Sequence, residues 1–254
     1  MLFRSGDEMA FEVRASSGVE LSGDTDDLPA AENLILRAAA ALGQTSKGAR
    51  IHVRKRIPRG GGLGGGSSNA ATTLIALNRL WQLGLDQDQL MAMGIPLGAD
   101  VGVFLLGQSA WAEGAGDALS PMALPKRWYL IAQPRCEAST AKIFSHPELT
   151  RNTAPITVQA FFSGTTRNDL QGVAMALYPE IQRAWEWLVS EAPHARMTGS
   201  GACVFAAFET EAEARQIAAR APVNLPVVVA EGIDHRPEMV ERSEEHTSEL
   251  QSQF

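Results

Sequence analysis

Between Pro58 and Asn69 the chain reads Pro-Arg-Gly-Gly-Gly-Leu-Gly-Gly-Gly-Ser-Ser-Asn, six glycines around one leucine. Glycine loses more conformational freedom on folding than any other residue, so an ordered run of this kind serves a purpose that only glycine can serve. Its flanks are regular. Ile51, Val53 and Ile57 alternate with His52, Arg54 and Arg56, which predicts a strand with one solvated face that ends at Pro58. Leu74, Leu77, Leu80 and Trp81 recur at helical spacing, which predicts a helix from about Ser68 to Trp81. Strand, glycine turn and helix start bring unpaired N–H groups and the positive end of a helix to one place, the arrangement that cradles phosphate. Ser67, Ser68 and Asn69 are good N-cap types and are expected to cap that helix.

Three other readings of the run are weaker. A Walker-A loop needs lysine where Ser67 stands, although Gly61 and Gly66 have its spacing. A dinucleotide fingerprint is matched by Gly60, Gly62 and Gly65, but a glycine run matches it almost automatically, and Asp86 and Asp88 lie in a connecting stretch where that fold needs an acid at a strand end. A flexible linker would not be flanked by tightly periodic elements.

Composition narrows the setting. The 254 residues suffice for one large or two modest domains. The net charge of -7 argues against a nucleic-acid binder. No apolar run reaches membrane-spanning length, and the two cysteines, Cys136 and Cys203, lack metal-ligand spacing; a reducing, cytoplasmic setting is expected. Both ends read as foreign. Arg242 to Ser252 resembles translated sequencing-adapter DNA, and so does Met1 to Ser5. Residues 1–5 and 242–254 are therefore expected to be non-native.

Elsewhere strands and helices mix without the strict alternation of a doubly wound sheet, which predicts an α+β fold. Met9–Val13 and Val19–Leu21 read as a hairpin, Asp24–Pro29 as a polar loop, Glu32–Leu42 as a helix and Val101–Leu106 as a buried strand. Further strands are expected at 129–132, 204–208 and 227–230, and helices at 90–93, 157–162, 181–189 and 211–220. A domain change is placed near Pro134, giving domains 6–133 and 134–241.

The string Pro58 to Thr72 resembles the second motif of the GHMP kinase superfamily. Glu32-Asn33-Leu34-Ile35, Gly98-Ala99-Asp100-Val101, Asn168-Asp169-Leu170 and Thr198-Gly199-Ser200-Gly201-Ala202-Cys203 extend the likeness in the right order. The doubled glycine triplet resembles the branch that phosphorylates a cytidine diphosphate-linked methylerythritol, a small-molecule substrate. The resemblance implies an N-terminal ribosomal-protein-like ATP-binding domain, a C-terminal ferredoxin-like domain, and ATP with Mg²⁺ as cofactors. It implies that Asp100 lies beside the acceptor hydroxyl and acts as general base. It assigns the nucleotide to Pro58, Arg59, Gly60, Gly61, Gly62, Leu63, Gly64, Gly65, Gly66, Ser67 and Ser68, with Asn33 near the adenine and Gly199 and Ser200 closing on the phosphates. Thr140 is a candidate substrate contact. Ser67 and Ser68 are both open as the metal or phosphate contact.

Each residue also has a plainer reading. Asp100 after Gly-Ala is by itself more often a cap or turn residue, Thr198–Cys203 is a tight turn, and Trp185 and Trp187 are helix packing. The family's proline two residues after the aspartate is Gly102 here. Its opening Pro-x-Ala-Lys-x-Asn strand and Tyr-His pair have no counterpart in the sequence, which leads us to expect an open sheet edge and a poorly stable, inactive chain. The alternatives are another alcohol kinase of the superfamily or a non-catalytic nucleotide-binding module.

Overall fold

The computed structural model describes residues 2–3, 6–25, 28–43, 46–164, 166–237, 239–244 and 247–253, with backbone alone for 2–3, 241–244 and 247–253. The chain divides into two units. Met1–Ile57, Gly64–Leu124 and Ile233–Phe254 form the first; Pro58–Leu63 and Pro125–Gly232 form the second. The division falls at Pro125, ahead of the expected Pro134, because the strand at 128–132 pairs with later strands.

The first unit contains β1 (Leu2–Phe3), β2 (Glu8–Arg14), β3 (Val19–Gly23), α1 (Leu34–Ala41) and β4 (Gly48–Arg54). Then come α2 (Gly65–Trp81), α3 (Gln87–Gly94), a 3-10 turn (Ile95–Leu97), α4 (Val101–Leu106) and the hairpin β5 (Ala110–Glu113) and β6 (Ala118–Pro121). The second unit contains β7 (Trp128–Ala132), α5 (Thr140–Phe144), α6 (Val158–Phe162), α7 (Gln171–Leu177), α8 (Pro179–Glu191), β8 (Arg196–Met197), β9 (Val204–Phe208), α9 (Glu211–Ala218) and β10 (Val227–Ile233). Strands β11 (Val240–Glu244) and β12 (Thr247–Gln253) rejoin the first unit.

The expected hairpin of β2 and β3 does not form. Strand β4 lies between them, antiparallel to β2 and parallel to β3. The connection from Ala15 to Gly18 crosses over the start of β4 at Gly48. A side chain there would strike the carbonyls of Ser16 and Gly18, so glycine is required by the close approach. Met9 and Phe11 of β2 and Ala49, Ile51 and Val53 of β4 share one face, packed with Ile35, Leu77, Leu80 and Trp81 of α1 and α2. Fully buried Phe11, Ile51 and Leu77 each contribute about 1.5–3 kcal/mol.

Two further expectations are corrected. Val101–Leu106 is helix, not strand: Val101 and Leu105 lie one turn apart and pack on Ala70, Ala71 and Leu74 of α2, and Gly107 ends the helix in the left-handed region. The edge of β2 is not open, because β12 pairs with it antiparallel from Glu249↔Glu12 to Gln253↔Glu8. An unpaired strand edge is a template for any available strand, and a segment set aside as foreign takes that place. Of the ends read as foreign, residues 1, 4–5, 245–246 and 254 lie outside the described residues, as do Asp26 and Asp27 of the polar loop.

In the second unit β10, β7, β9 and β8 follow one another in the sheet. Leu130, Ala132, Val204 and Ala206 pack with Ile181, Ala184 and Leu188 of α8, and Trp185 and Trp187 pack at its margin.

Candidate active site

Helix α2 starts inside the glycine run, at Gly65, with Gly64 at the N-cap and no side chain bonded to the free amides. Ser67, Ser68 and Asn69 therefore lie inside the helix and are not the caps expected. The first helical bond is from Ser68 N–H to the Gly64 carbonyl, 2.8 Å. The amides of Gly65, Gly66 and Ser67 precede it and have no acceptor within the helix. The first turn carries no acidic residue, so the 17-residue helix does not compensate its own positive end.

The two serines differ. Ser68 is buried, and its Oγ, like Thr72 Oγ1, has no partner among the described residues. Ser67 is half-buried, and its Oγ lies 3.8 Å from where a Cβ on Gly98 would stand. Ser67 is the hydroxyl on the side of the Gly98-Ala99-Asp100 loop. Asp100 holds the N-cap position of α4, yet its side chain makes no capping bond and is exposed. Asp100 thus has the turn and N-cap position of the plainer reading, but its carboxylate is not spent on a capping bond. Gly102 is buried in the first turn of α4, where proline is also compatible with a helix.

Asn33 caps α1. Its Oδ1 accepts from Ile35 N–H at 3.0 Å and its Nδ2 donates to the Thr25 carbonyl at 3.4 Å. It also lines a cleft of ≈160 Å³ with Leu34, Val53, Lys55, Gly66 and Asn69. Lys55 was not singled out from the sequence, although a signal was present. It continues the inward parity of Ile51 and Val53, a register where lysine is out of place. His52, Arg54 and Arg56 are exposed as expected.

In the second unit the leading part of the glycine run is cross-braced by the Thr198–Cys203 turn. The Gly60 and Gly61 carbonyls accept from Ala202 and Cys203 N–H at 2.6 and 3.1 Å. Thr198 Oγ1 donates to the Gly61 carbonyl at 2.6 Å. Gly62 has φ +68°, and a side chain on it would press into the Thr198 carbonyl, so this position needs glycine for packing within the protein. Pro58 and Leu63 are half-buried and Arg59 is exposed. Asn168 Nδ2 donates to the carbonyls of Gly199 at 2.7 Å and Met197 at 3.2 Å. Thr140 Oγ1 and Ser200 Oγ are 2.8 Å apart, so two residues singled out separately meet. Burial pushes the Cys203 thiol up to about 12, with the neighbouring Cys136 adding to the effect.

A glycine-started helix with free first-turn amides and an unspent carboxylate on the loop that Ser67 faces are the equipment of a phosphotransferase. Residues 33–108 match the family described as GHMP kinases N terminal domain, and residues 158–225 match GHMP kinases C terminal. A homoserine kinase from Cytophaga hutchinsonii shares the fold, with TM-score 0.67 over 90% of this chain and 86% of its own at 17% identity.

A 4-diphosphocytidyl-2-C-methyl-D-erythritol kinase from Nitrosospira multiformis is 49% identical over 236 residues, 91% of this chain and 80% of its own length. A crystal structure of 4-(cytidine 5'-diphospho)-2C-methyl-D-erythritol kinase superposes with TM-score 0.70 at 30% identity, over 91% of this chain and 98% of its own. The chain belongs to the 4-diphosphocytidyl-2-C-methyl-D-erythritol kinase family of the GHMP kinases.

Proposed function

We propose that this protein transfers the γ-phosphoryl group of ATP to the 2-hydroxyl of 4-diphosphocytidyl-2-C-methyl-D-erythritol, a step of the non-mevalonate isoprenoid pathway. The observation that carries the reading is the uncapped N-terminus of α2, with Ser67 turned toward the loop that bears an exposed, unbonded Asp100. The amides of Gly65, Gly66 and Ser67 hold phosphate oxygens, and the fixed positive end of the helix stabilises the charge that builds up during transfer. The cleft beside Asn33 takes the adenine. Pro58 to Leu63 order the run that leads to the amides. Gly199 and Ser200 serve the phosphates, and Thr140 serves the acceptor.

Asp100 orients the acceptor hydroxyl and takes its proton as the oxygen attacks phosphorus. Phosphoryl transfer depends mainly on positioning and charge stabilisation, and a carboxylate within hydrogen-bond reach supplies both alignment and a proton acceptor. A magnesium ion arriving with ATP would supply positive charge against the phosphates. Such an ion takes few protein ligands and keeps several waters. Among the described residues no group of three His, Cys, Asp or Glu could cage a metal. Ser67 Oγ is the protein group suited to contact it, and a hydroxyl with no carboxylate cage fits an ion that arrives on ATP. The free thiols Cys136 and Cys203 suit a reducing cytoplasm. Among the described residues no helix is long and apolar enough to cross a membrane.

The test is ATP-dependent phosphorylation of the cytidine diphosphate-linked alcohol, with Asp100→Asn alongside; turnover by the wild type would also overturn the expectation of an inactive chain. Turnover that falls by about 10²–10⁴ in the variant, with ATP still bound, supports substrate and base together. Turnover on mevalonate or homoserine but not on this alcohol would sink the substrate assignment.

A further inference from the structure

Asp7 lies immediately before β2, far in sequence from every residue assigned to the nucleotide. Its carboxylate is fully buried, with a side-chain exposure of 0%. A buried charge is tolerated only when it is paired and hydrogen-bonded. Here the partners follow a pattern. Oδ1 accepts from the backbone N–H of Arg56 at 2.7 Å and of Ile57 at 2.9 Å. Oδ2 accepts from Lys55 Nζ and from Asn69 Nδ2, the latter at 2.9 Å. Three of the four donors come from the residues that lead into Pro58, and the fourth, Asn69, comes from just past the first turn of α2. All four flank the glycine run.

Lys55 adds a second strand of argument. Its Nζ lies 3.5 Å from where a Cβ on Gly65 would stand, at the positive end of α2. Its side chain lines the Asn33 cleft and stays 16% exposed. An ammonium beside a helix N-terminus is electrostatically unfavourable without an anion. Asp7 supplies that anion from the buried side and leaves the other side of the ammonium open to the cleft.

We propose that Asp7 is a positioning residue for the nucleotide phosphates. It fixes the distance between the two flanks of the glycine run, so that the free amides of Gly65 to Ser67 are held in place before ATP arrives. It also keeps Lys55 at the mouth of the cradle as a third source of positive charge. This inference rests on the reading of that helix start as the phosphate cradle. It deepens that reading by separating the group that shapes the cradle from the groups that touch the ligand.

The experiment is calorimetric titration of the purified protein with ATP and with AMP, in the wild type, Asp7→Asn, Asn69→Ala and the double variant, with circular dichroism to verify folding. AMP shares the adenosine but lacks the outer phosphates, so the ratio of the two affinities reports the cradle, and a general loss of structure leaves that ratio unmoved. Asp7→Asn is expected to weaken ATP at least about tenfold, equivalent to about 1.4 kcal/mol, with AMP changed less than about twofold. Asn69→Ala shifts the ratio in the same direction, and the double variant is no worse than Asp7→Asn, because both act through one clamp. ATP and AMP weakened equally would overturn the proposal, as would an unchanged ATP affinity in folded Asp7→Asn. If Asp7→Asn does not fold, Asn69→Ala decides by the same ratio. If neither folds, Asp7 is a folding residue and the proposal fails. A wild type that binds AMP as tightly as ATP would remove the cradle reading, and this inference with it.

Discussion

The hydroxyl of Thr198 donates to the carbonyl of Gly61 at 2.6 Å, joining residues 137 positions apart in the chain. The same hydroxyl lies 3.1 Å from the Cys203 carbonyl, so it closes its own turn as well as bracing the glycine run. Thr198 is buried, and without its hydroxyl the Gly61 carbonyl keeps only the Cys203 N–H and the Cys203 carbonyl only the Thr198 N–H. Thr198→Val keeps the volume and removes the donor. The expected result is a loss of about 0.5–1.5 kcal/mol in a urea titration. Amide hydrogen exchange at Ala202 and Cys203, which bond to Gly60 and Gly61, should quicken. Unchanged protection at both amides would mean that the brace is not maintained in solution.

Two glycines of the run are predicted to fail in different ways. Gly62 sits at φ +68° against the Thr198 carbonyl, so Gly62→Ala meets both backbone strain and a clash, and should cost at least about 1–3 kcal/mol of stability. Gly66 is helical, and a Cβ there meets only Leu34 Cδ1, at 3.3 Å. Gly66→Ala should fold with equal or slightly greater stability, since alanine favours a helix by about 1 kcal/mol. It lines the Asn33 cleft, however, so its ATP affinity should fall. Thermal melts set beside ATP titrations separate the two. Equal effects on both readouts in both variants would contradict this division.

Much of this was legible in advance, and the reasons are local. The glycine run and α2 could be read because composition and a 3.6-residue period both mark them. Lys55 was legible from its parity with Ile51 and Val53, although the basic stretch around it reads first as a solvated face. Val101–Leu106 was not legible as a helix, since six apolar residues carry too little period to separate helix from strand. The parallel pairing of β3 with β4 was hidden because strand neighbours are set by long-range packing, and the short link over Gly48 imitates a hairpin. Asp7 carries no sequence signal at all. Its role exists only once residues 55–57 and Asn69 converge on it. The meeting of Thr140 with Ser200 is hidden for the same reason.

Cys203 should make the protein sensitive to alkali. Its burial, reinforced by Cys136, raises the thiol from the ordinary 9.0 to about 12. The folded state therefore keeps its proton after the unfolded chain has begun to lose it. The associated stability is fully present below pH 9 and declines as pH rises toward 12. Urea midpoints taken at about pH 8 and about pH 10.5 should differ more in the wild type than in Cys203→Ala. Identical pH dependence in the two proteins would assign the alkaline loss to other groups. Burial also raises the Cys136 thiol, with Glu180 adding to the rise and Arg183 opposing it. Neither cysteine should react quickly with a thiol reagent in the native state at neutral pH.

Arg236 offers a route to Asp100 from the far end of its helix. The Arg236 Nη1 donates to the carbonyls of Phe104 at 3.3 Å and Leu105 at 3.4 Å, and its backbone N–H donates to the Gly107 carbonyl at 2.9 Å. A cation bonded to the last carbonyls of α4 complements the negative end of the helix. With only six residues, α4 has little stability of its own. Burial lowers the Arg236 pKa, but a guanidinium stays charged across the working pH range. Arg236→Ala should therefore cost about 1–3 kcal/mol and loosen the helix whose N-cap position is held by Asp100. Because the amides proposed to hold the phosphates lie on α2, ATP affinity should be nearly unchanged while kcat falls. Arg236→Lys, which keeps the charge but loses the fork, should fall between the wild type and Arg236→Ala. A variant that loses ATP affinity and kcat together would show that the effect spreads beyond α4.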